Sequence, residues 1–158
     1  TAEEVWQAVP AFAKKETSIF LTDFPKADPK WENKNLEEHW DRFWKMRETA
    51  TKALEMARQE KFIGNSLEAG LVIEAAKDQE QFLKSFGETL PDLLIVSQVV
   101  FGKAEGEWIH ESEEVAGFKV GVKKALGKKC VRCWKYSPSV GIDLKHPLLC
   151  KRCTRVVA

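Results

Sequence analysis

All four cysteines of the chain lie in one short stretch, and that stretch limits what the end of the chain can become. Cys130-Val-Arg-Cys133 and Cys150-Lys-Arg-Cys153 are two C-x-x-C pairs, with sixteen residues between Cys133 and Cys150. A C-x-x-C segment forms a tight knuckle whose two sulfurs point the same way, so two knuckles complete a tetrahedral site of four sulfurs. Four soft thiolates leave no open position on the ion, so a metal here holds structure and activates no water. Cys130, Cys133, Cys150 and Cys153 are therefore predicted to bind one structural Zn2+. Two other uses compete. Two disulfides need an oxidising compartment, and no secretory signal is visible in these residues. A redox pair needs only one C-x-x-C, set after a strand in a βαβ unit.

Charge is distributed as unevenly as cysteine. From Lys119 to Ala158 there are eleven Lys or Arg and one acid, Asp143, a net charge of +10. Residues 1–118 carry fourteen basic and twenty-three acidic side chains, so the overall +1 conceals a strongly basic end. Four thiolates with one Zn2+ subtract about two charges and leave this end near +8, roughly. Such a surface is expected to meet phosphates; the bland reading is a solvated basic face with no ligand. Lys128, Lys129, Arg132, Lys135, Lys151, Arg152 and Arg155 crowd the knuckles, with Trp134 and Tyr136 among them. An aromatic beside cations can stack on an unpaired base while the cations hold the backbone, which favours nucleic acid.

The 158 residues can form one ordinary domain or two small ones, and 44% apolar residues with six Trp and nine Phe provide a core. No apolar run approaches the length of a bilayer span. Reduced cysteines suit the cytosol. Thr1, with no initiator Met, is read as the start of a piece of a longer chain.

Along the chain, Thr1 to Val9 is expected to form a short helix with Glu3 and Glu4 at its positive end. Ser18 to Pro25 is apolar but short and broken, an extended tether laid over a neighbour. Leu36, Trp40, Phe43, Ala50, Leu54 and Ala57 recur at steps of three and four, predicting a long helix from about 36 to 62. Asn33 or Asn35 caps it and Gly64 ends it. Arg47 falls on this stripe beside Trp44, and a snorkelling Arg with a packed Trp is favoured over contact with RNA or another domain. The stripe is expected to pack on other helices. Strands are predicted at Leu67–Ala75, at Leu93–Phe101 as a buried run, through Trp108 and Ile109, and at Phe118–Lys123 with a basic outer face. A helix is expected at Asp78–Phe86. The resulting fold class is α+β, in three parts: 1–64 with the tether and long helix, 65–126 as a small α/β module, and 127–158 as a zinc ribbon with four cysteine ligands.

Catalytic signatures are missing from the sequence. No P-loop, G-x-G-x-x-G, H-E-x-x-H or G-x-S-x-G occurs. His39, His110 and His146 lack partners at motif spacing and read as surface or capping residues. His146 could act as a ligand, but four Cys already satisfy zinc. Acidic pairs such as Glu37/Glu38 and Glu113/Glu114 read as solvated faces.

The run Lys129-Cys130-Val-Arg132-Cys133-Trp134-Lys-Tyr136, then Val140-Gly141, Pro147, Leu149-Cys150 and Arg152-Cys153, resembles the C-terminal zinc motif of bacterial isoleucyl-tRNA synthetases. Upstream, Thr1-Ala-Glu-Glu-Val-Trp6 and Ser18-Ile-Phe-Leu-Thr-Asp-Phe-Pro25 resemble that family's exit from its helical anticodon-binding domain. Lys52-Ala-Leu-Glu55, Ala57-Arg58, Lys61 and Ile63-Gly64-Asn-Ser66-Leu-Glu68-Ala69 are similar to its long helix and following turn. The departures are small: Phe24 stands where the family often has Trp, and Lys135-Tyr136 varies the residues after Trp134. The resemblance implies a class I aminoacyl-tRNA synthetase that joins isoleucine to its tRNA at the expense of ATP. The family's His-Ile-Gly-His and Lys-Met-Ser-Lys-Ser types of ATP-site signature, and its editing domain, are absent here. ATP would therefore bind only elsewhere in the parent, and this piece would be its tRNA-binding end, inactive alone. Arg132 and Trp134 match the family's anticodon-loop contacts, and Lys128, Lys129, Lys151, Arg152 and Arg155 would follow the backbone. Partners would be the isoleucine tRNA and the rest of the parent, in a cytoplasmic monomer with no membrane contact. Two alternatives are a DNA glycosylase, whose zinc finger has similar paired cysteines, and a zinc-stabilised protein-docking module.

Overall fold

The longest apolar stripe in the sequence forms the longest helix. In the computed structural model, which describes residues 1–10 and 15–157, that helix is α2 (Lys34–Gln59, 26 residues). Asn33 caps it, its Oδ1 accepting from the Leu36 N–H at 3.0 Å. Glu48 and Lys52 pair at 3.1 Å on the wet side. The helix does not run to Gly64. Lys61 takes a left-handed conformation (φ 60°), its N–H donating to Arg58 O and that of Phe62 to Ala57 O, both at 2.9 Å. These two bonds form a Schellman closure with Lys where Gly is usual, and they stop the helix a turn early.

The chain divides into two compact units, residues 1–36 and 37–158, and Ala158 lies outside the described residues. In the first unit α1 (Ala2–Ala8) is held by Glu3, which accepts from Gln7 at 2.6 Å, Ser18 Oγ at 2.8 Å and Ile19 N–H at 3.2 Å. These donors, led by Gln7, hold the Glu3 carboxyl below its ordinary range. The segment 18–25, expected as a plain extended tether, contains a short 3-10 turn, Ile19–Leu21, and a second, Pro29–Trp31, follows it. Each is opened by a local side-chain cap, Ser18 or Asp28. Phe20, Leu21, Phe24 and Trp31 are all exposed, Phe24 by 96%.

The second unit is built on a four-stranded sheet of β1 (Ala69–Glu74), β2 (Gln98–Phe101), β3 (Trp108–Glu111) and β4 (Lys119–Lys124). Their order is β2-β1-β4-β3, with β1–β2 parallel and the other pairs antiparallel. Helices α3 (Lys77–Lys84) and α4 (Leu90–Leu93) lie in the connection between the parallel pair, as a parallel crossover requires. The buried stripe of α2 (Phe43, Met46, Ala50, Ala53, Leu54, Ala57) shares one core with Leu71 and Ile73 of β1 and Val120 and Val122 of β4. The stripe is thus covered by the sheet together with α3 and α4, whose Leu83 and Leu90 belong to the same core. Its three alanines leave little side-chain bulk between helix and strands.

The run Leu93–Phe101 is not one buried strand. Pro91 opens α4, and the chain then turns through Ile95 at φ 55°. There Ile95 N–H donates to Asp92 O and Val96 N–H to Pro91 O, a second Schellman closure without glycine. Only Gln98–Phe101 pairs as strand, at the sheet edge and half-buried.

Because β2 and β3 lie on opposite edges, the chain between them must pass across β1 and β4. It does so backbone against backbone: a Cβ on Gly121 would lie 2.2 Å from Glu105 O, and one on Gly106 would lie 2.4 Å from Val122 O. The outer face of β4 is therefore partly covered, and its lysines are engaged, Lys119 with Glu111 at 3.1 Å and Lys123 with Glu105. It is not the free basic face that the alternation suggests. Gly121→Ala is expected to destabilise this unit by about 1–3 kcal/mol through overpacking alone. Urea unfolding checks this, and an unchanged midpoint would contradict the close crossing.

Candidate metal centre and nucleic-acid interface

The ribbon begins with a minimal hairpin, β5 (Lys128–Lys129) against β6 (Tyr136–Ser137), whose tip is the first knuckle. Trp134 N–H donates to Cys130 O and Cys130 N–H to Lys135 O, both at 2.9 Å. The second knuckle runs into α5 (Lys151–Val157), with Thr154 N–H donating to Cys150 O at 2.9 Å. Val131 N–H donates to Leu148 O at 3.2 Å and ties the two knuckles together. The four sulfurs lie within 4.8 Å of one another, and those of Cys133 and Cys150 are 3.7 Å apart. A tetrahedron with Zn–S near 2.3 Å has edges of about 3.8 Å. All four cysteines are free thiols, so the disulfide alternative does not hold. The arrangement fits one structural Zn2+, and His146 lies outside the four-thiol cluster.

The sulfurs are not equivalent. Burial opposes ionisation of Cys130, but N–H donors of Cys133, Cys150 and Arg132 outweigh it and lower its thiol to about 6. Burial pushes Cys133 up to about 12 and raises Cys153 as well. The chain by itself stabilises a thiolate at Cys130, and a dication is what allows Cys133 and Cys153 to ionise.

The predicted contact residues separate into two groups. Lys128, Lys129 and Arg132 are exposed around the first knuckle. Trp134 is 60% exposed and sits at φ 65°, with Lys129 Nζ 5.6 Å from its ring centre. A bulky residue in the left-handed region is uncommon and costs on the order of 1–3 kcal/mol where it persists. Lys151 and Arg155, one turn apart on α5, line an open groove of about 430 Å³ with Ser139, Ile142, Asp143 and Thr154. Arg152 points elsewhere: its guanidinium lies 3.3 Å from Asp92, and that carboxylate raises its pKa further. Lys135, only 18% exposed, lies 2.6 Å from the same carboxylate.

Tyr136 belongs to a joint. Its N–H donates to Ser97 Oγ at 2.8 Å, and its carbonyl accepts from Gln98 Nε2 at 3.3 Å. Gln98 also holds both backbone groups of Leu126, at 2.9 and 2.7 Å. Asp92, Ser97 and Gln98 escaped the sequence reading because they lie inside what reads as an apolar strand or just before it. The one available signal was the polar Ser97-Gln98 pair interrupting that run. On α2, Arg47 Nε donates to Leu93 O at 3.1 Å and its guanidinium lies over Trp44. Arg47 is held as expected, but Trp44 is 51% exposed and is not the packed residue the sequence suggests. His39 packs against Phe82 and Phe86.

A zinc-finger family described as found in FPG and IleRS matches residues 127–156. Along its whole length the chain is similar to part of the isoleucine–tRNA ligases of several bacteria. It is 42% identical to that of Carboxydothermus hydrogenoformans over 99% of this chain. It is 38% identical to that of Geobacter sulfurreducens over 99%, and 41% identical to that of Desulforudis audaxviator over 100%. The chain spans 16–17% of the length of these relatives. The resemblance carried by the motifs thus extends from end to end. Among the described residues no helix is long and apolar enough to cross a membrane.

Zinc uptake at neutral pH is expected to release at least two protons, one each from Cys133 and Cys153, whose thiols are held protonated. Zinc affinity then falls on acidification and rises with pH. Calorimetry in buffers of different ionisation enthalpy counts the protons, and uptake with none released would contradict the assignment. Chelation should unfold the ribbon while α2, in a separate core, keeps most of the helical circular dichroism.

Proposed function

We propose that this chain is the tRNA-binding end of an isoleucine–tRNA ligase and that its first zinc knuckle reads the anticodon loop. Similarity to these ligases along the whole chain supports the parentage. The observation that most favours the reading role is Trp134, an indole kept exposed at a strained backbone position beside a lysine. Strain of this kind persists where the surroundings over-determine it, and it is concentrated at binding sites.

In this reading Cys130, Cys133, Cys150 and Cys153 hold zinc, which fixes the knuckle backbone and takes no part in chemistry. Trp134 stacks on an unpaired base, a sequence-tolerant contact that supplies affinity. Arg132 pairs with a base edge or a phosphate, and Lys128, Lys129, Lys151 and Arg155 follow the backbone. Arg152 leaves this group because Asp92 already engages it. Residues 1–64 lead out of the parent's helical domain, 65–126 form the junction and 127–158 the reader, with α2 contributing to the junction's core. The exposed Phe20, Phe24 and Trp31 meet the rest of the parent, a cytoplasmic monomer. Attachment of isoleucine using ATP takes place there, since this chain lacks the signatures of the ATP site.

The matched zinc finger is shared with FPG, so the glycosylase alternative has an observation on its side. Tighter binding to damaged duplex than to tRNA would support it. The decisive measurement is binding of the zinc-loaded chain to an isoleucine anticodon stem-loop and to several others, at two salt concentrations. Tighter, salt-sensitive binding to the isoleucine loop is expected, and equal binding to every loop would remove the reading role. Trp134→Ala and Trp134→Gly are each expected to weaken binding by about 1–3 kcal/mol through loss of the stack. The Gly variant should nonetheless be more stable than the Ala variant by about 1–2 kcal/mol, because Gly has no left-handed penalty. A binding loss that tracked stability would mean the indole is structural.

A further inference from the structure

One carboxylate of the sheet unit meets the ribbon at two of its cations. Asp92 Oδ1 lies 2.6 Å from Lys135 Nζ, and its Oδ2 lies 3.3 Å from Arg152. Lys135 follows the first zinc knuckle by two residues, and Arg152 lies inside the second, between Cys150 and Cys153. One side chain therefore touches both halves of the metal site. Asp92 is itself held by the one-turn helix α4 and the closure through Ile95. Ser97 and Gln98, just beyond, bind the backbone of Leu126 and Tyr136 on either side of the hairpin. Contacts at three points fix the direction in which the knuckle tip faces.

We propose that Asp92 is a positioning residue for RNA recognition: it sets the angle at which Arg132 and Trp134 are presented and withholds Lys135 and Arg152 from indiscriminate phosphate binding. This inference rests on the anticodon-reading role proposed above. It separates two quantities that a basic surface usually mixes. Free cations raise affinity for any RNA, whereas recognition of one loop needs the knuckle at a fixed angle.

The test compares Asp92→Asn, which keeps the shape and loses the charge, with the unaltered zinc-loaded chain. The probes are an isoleucine anticodon stem-loop, non-cognate stem-loops and poly(U), at two salt concentrations. With two cations released, binding to poly(U) should tighten and its salt dependence steepen by about 0.7 log-log units per cation that finds a phosphate. Preference for the isoleucine loop should fall by about tenfold, the size of one lost specific contact. Asp92→Glu, which keeps the carboxylate, should retain most of the preference. Unchanged preference in Asp92→Asn, with poly(U) binding tightened, would reduce Asp92 to a neutralising charge and overturn the inference.

Lys135→Met combined with Arg152→Met reaches the same contact from the other side without releasing any cation. It too must lower the preference, and it decides the question if Asp92→Asn loses zinc. A chain that shows no preference before any substitution would instead sink the reading role, so the two failures are distinguishable.

Discussion

Four sulfurs gathered within 4.8 Å of one another are the constraint on which the end of this chain depends. Among the described residues the ribbon's own buried cluster contains Cys130, Val140, Cys150 and Cys153, with Cys133 and Leu149 packed against it. So small an apolar set cannot offset the conformational entropy of ordering some thirty residues, at about 1–2 kcal/mol for each backbone. The metal has to supply the difference, and for structural zinc the binding free energy is folding free energy. The larger unit is independent of this, because α2 and the sheet bury their own core of aromatic and aliphatic side chains.

A metal-held knuckle can also tolerate local strain that a loosely packed loop could not. Trp134 keeps a left-handed backbone because its N–H is bound by Cys130 O, its neighbour Cys133 is in the sulfur cluster and Lys135 is anchored by Asp92. Ile95, also left-handed, is fixed by the double closure after α4. Both strained residues flank the Asp92 contact between sheet and ribbon, so their backbone cost is met by structure on each side.

Much of this was legible in the sequence because it is local or periodic. The cysteine spacing gave the metal centre, the three-and-four pattern gave α2, and the alternation of Val120 and Val122 gave β4. What the sequence hid is non-local. Asp92 meets Arg152 across 60 residues and Gln98 meets Leu126 across 28, and no window-sized pattern records such pairs. The helix stop at Lys61 and the turn at Ile95 were missed because each closure uses a residue other than glycine. The cover over β4 was missed because Gly121 reads as a weak strand residue until the crossing backbone is seen against it.

The same distinction changes how the basic end should be counted. A net +10 suggests a broad phosphate-binding face, yet Lys119, Lys123, Lys135 and Arg152 are each paired with a carboxylate. Lys124 lies over the Phe62 ring. Among the described residues Lys128, Arg132, Lys145, Lys151 and Arg155 are left without an ion-pair partner, while Lys129 sits over Trp134. Six contacts to a single strand correspond to a salt slope of about 4, against about 8 if all eleven cations took part. The smaller footprint suits a reader better than a clamp, because weaker phosphate binding leaves base contacts a larger share of the total. On the proposed reading the acidic partners on the sheet unit would lower general affinity for nucleic acid. Of the remaining cations, Lys128, Lys129 and Arg132 lie around the first knuckle and Lys151 and Arg155 line the groove beside α5.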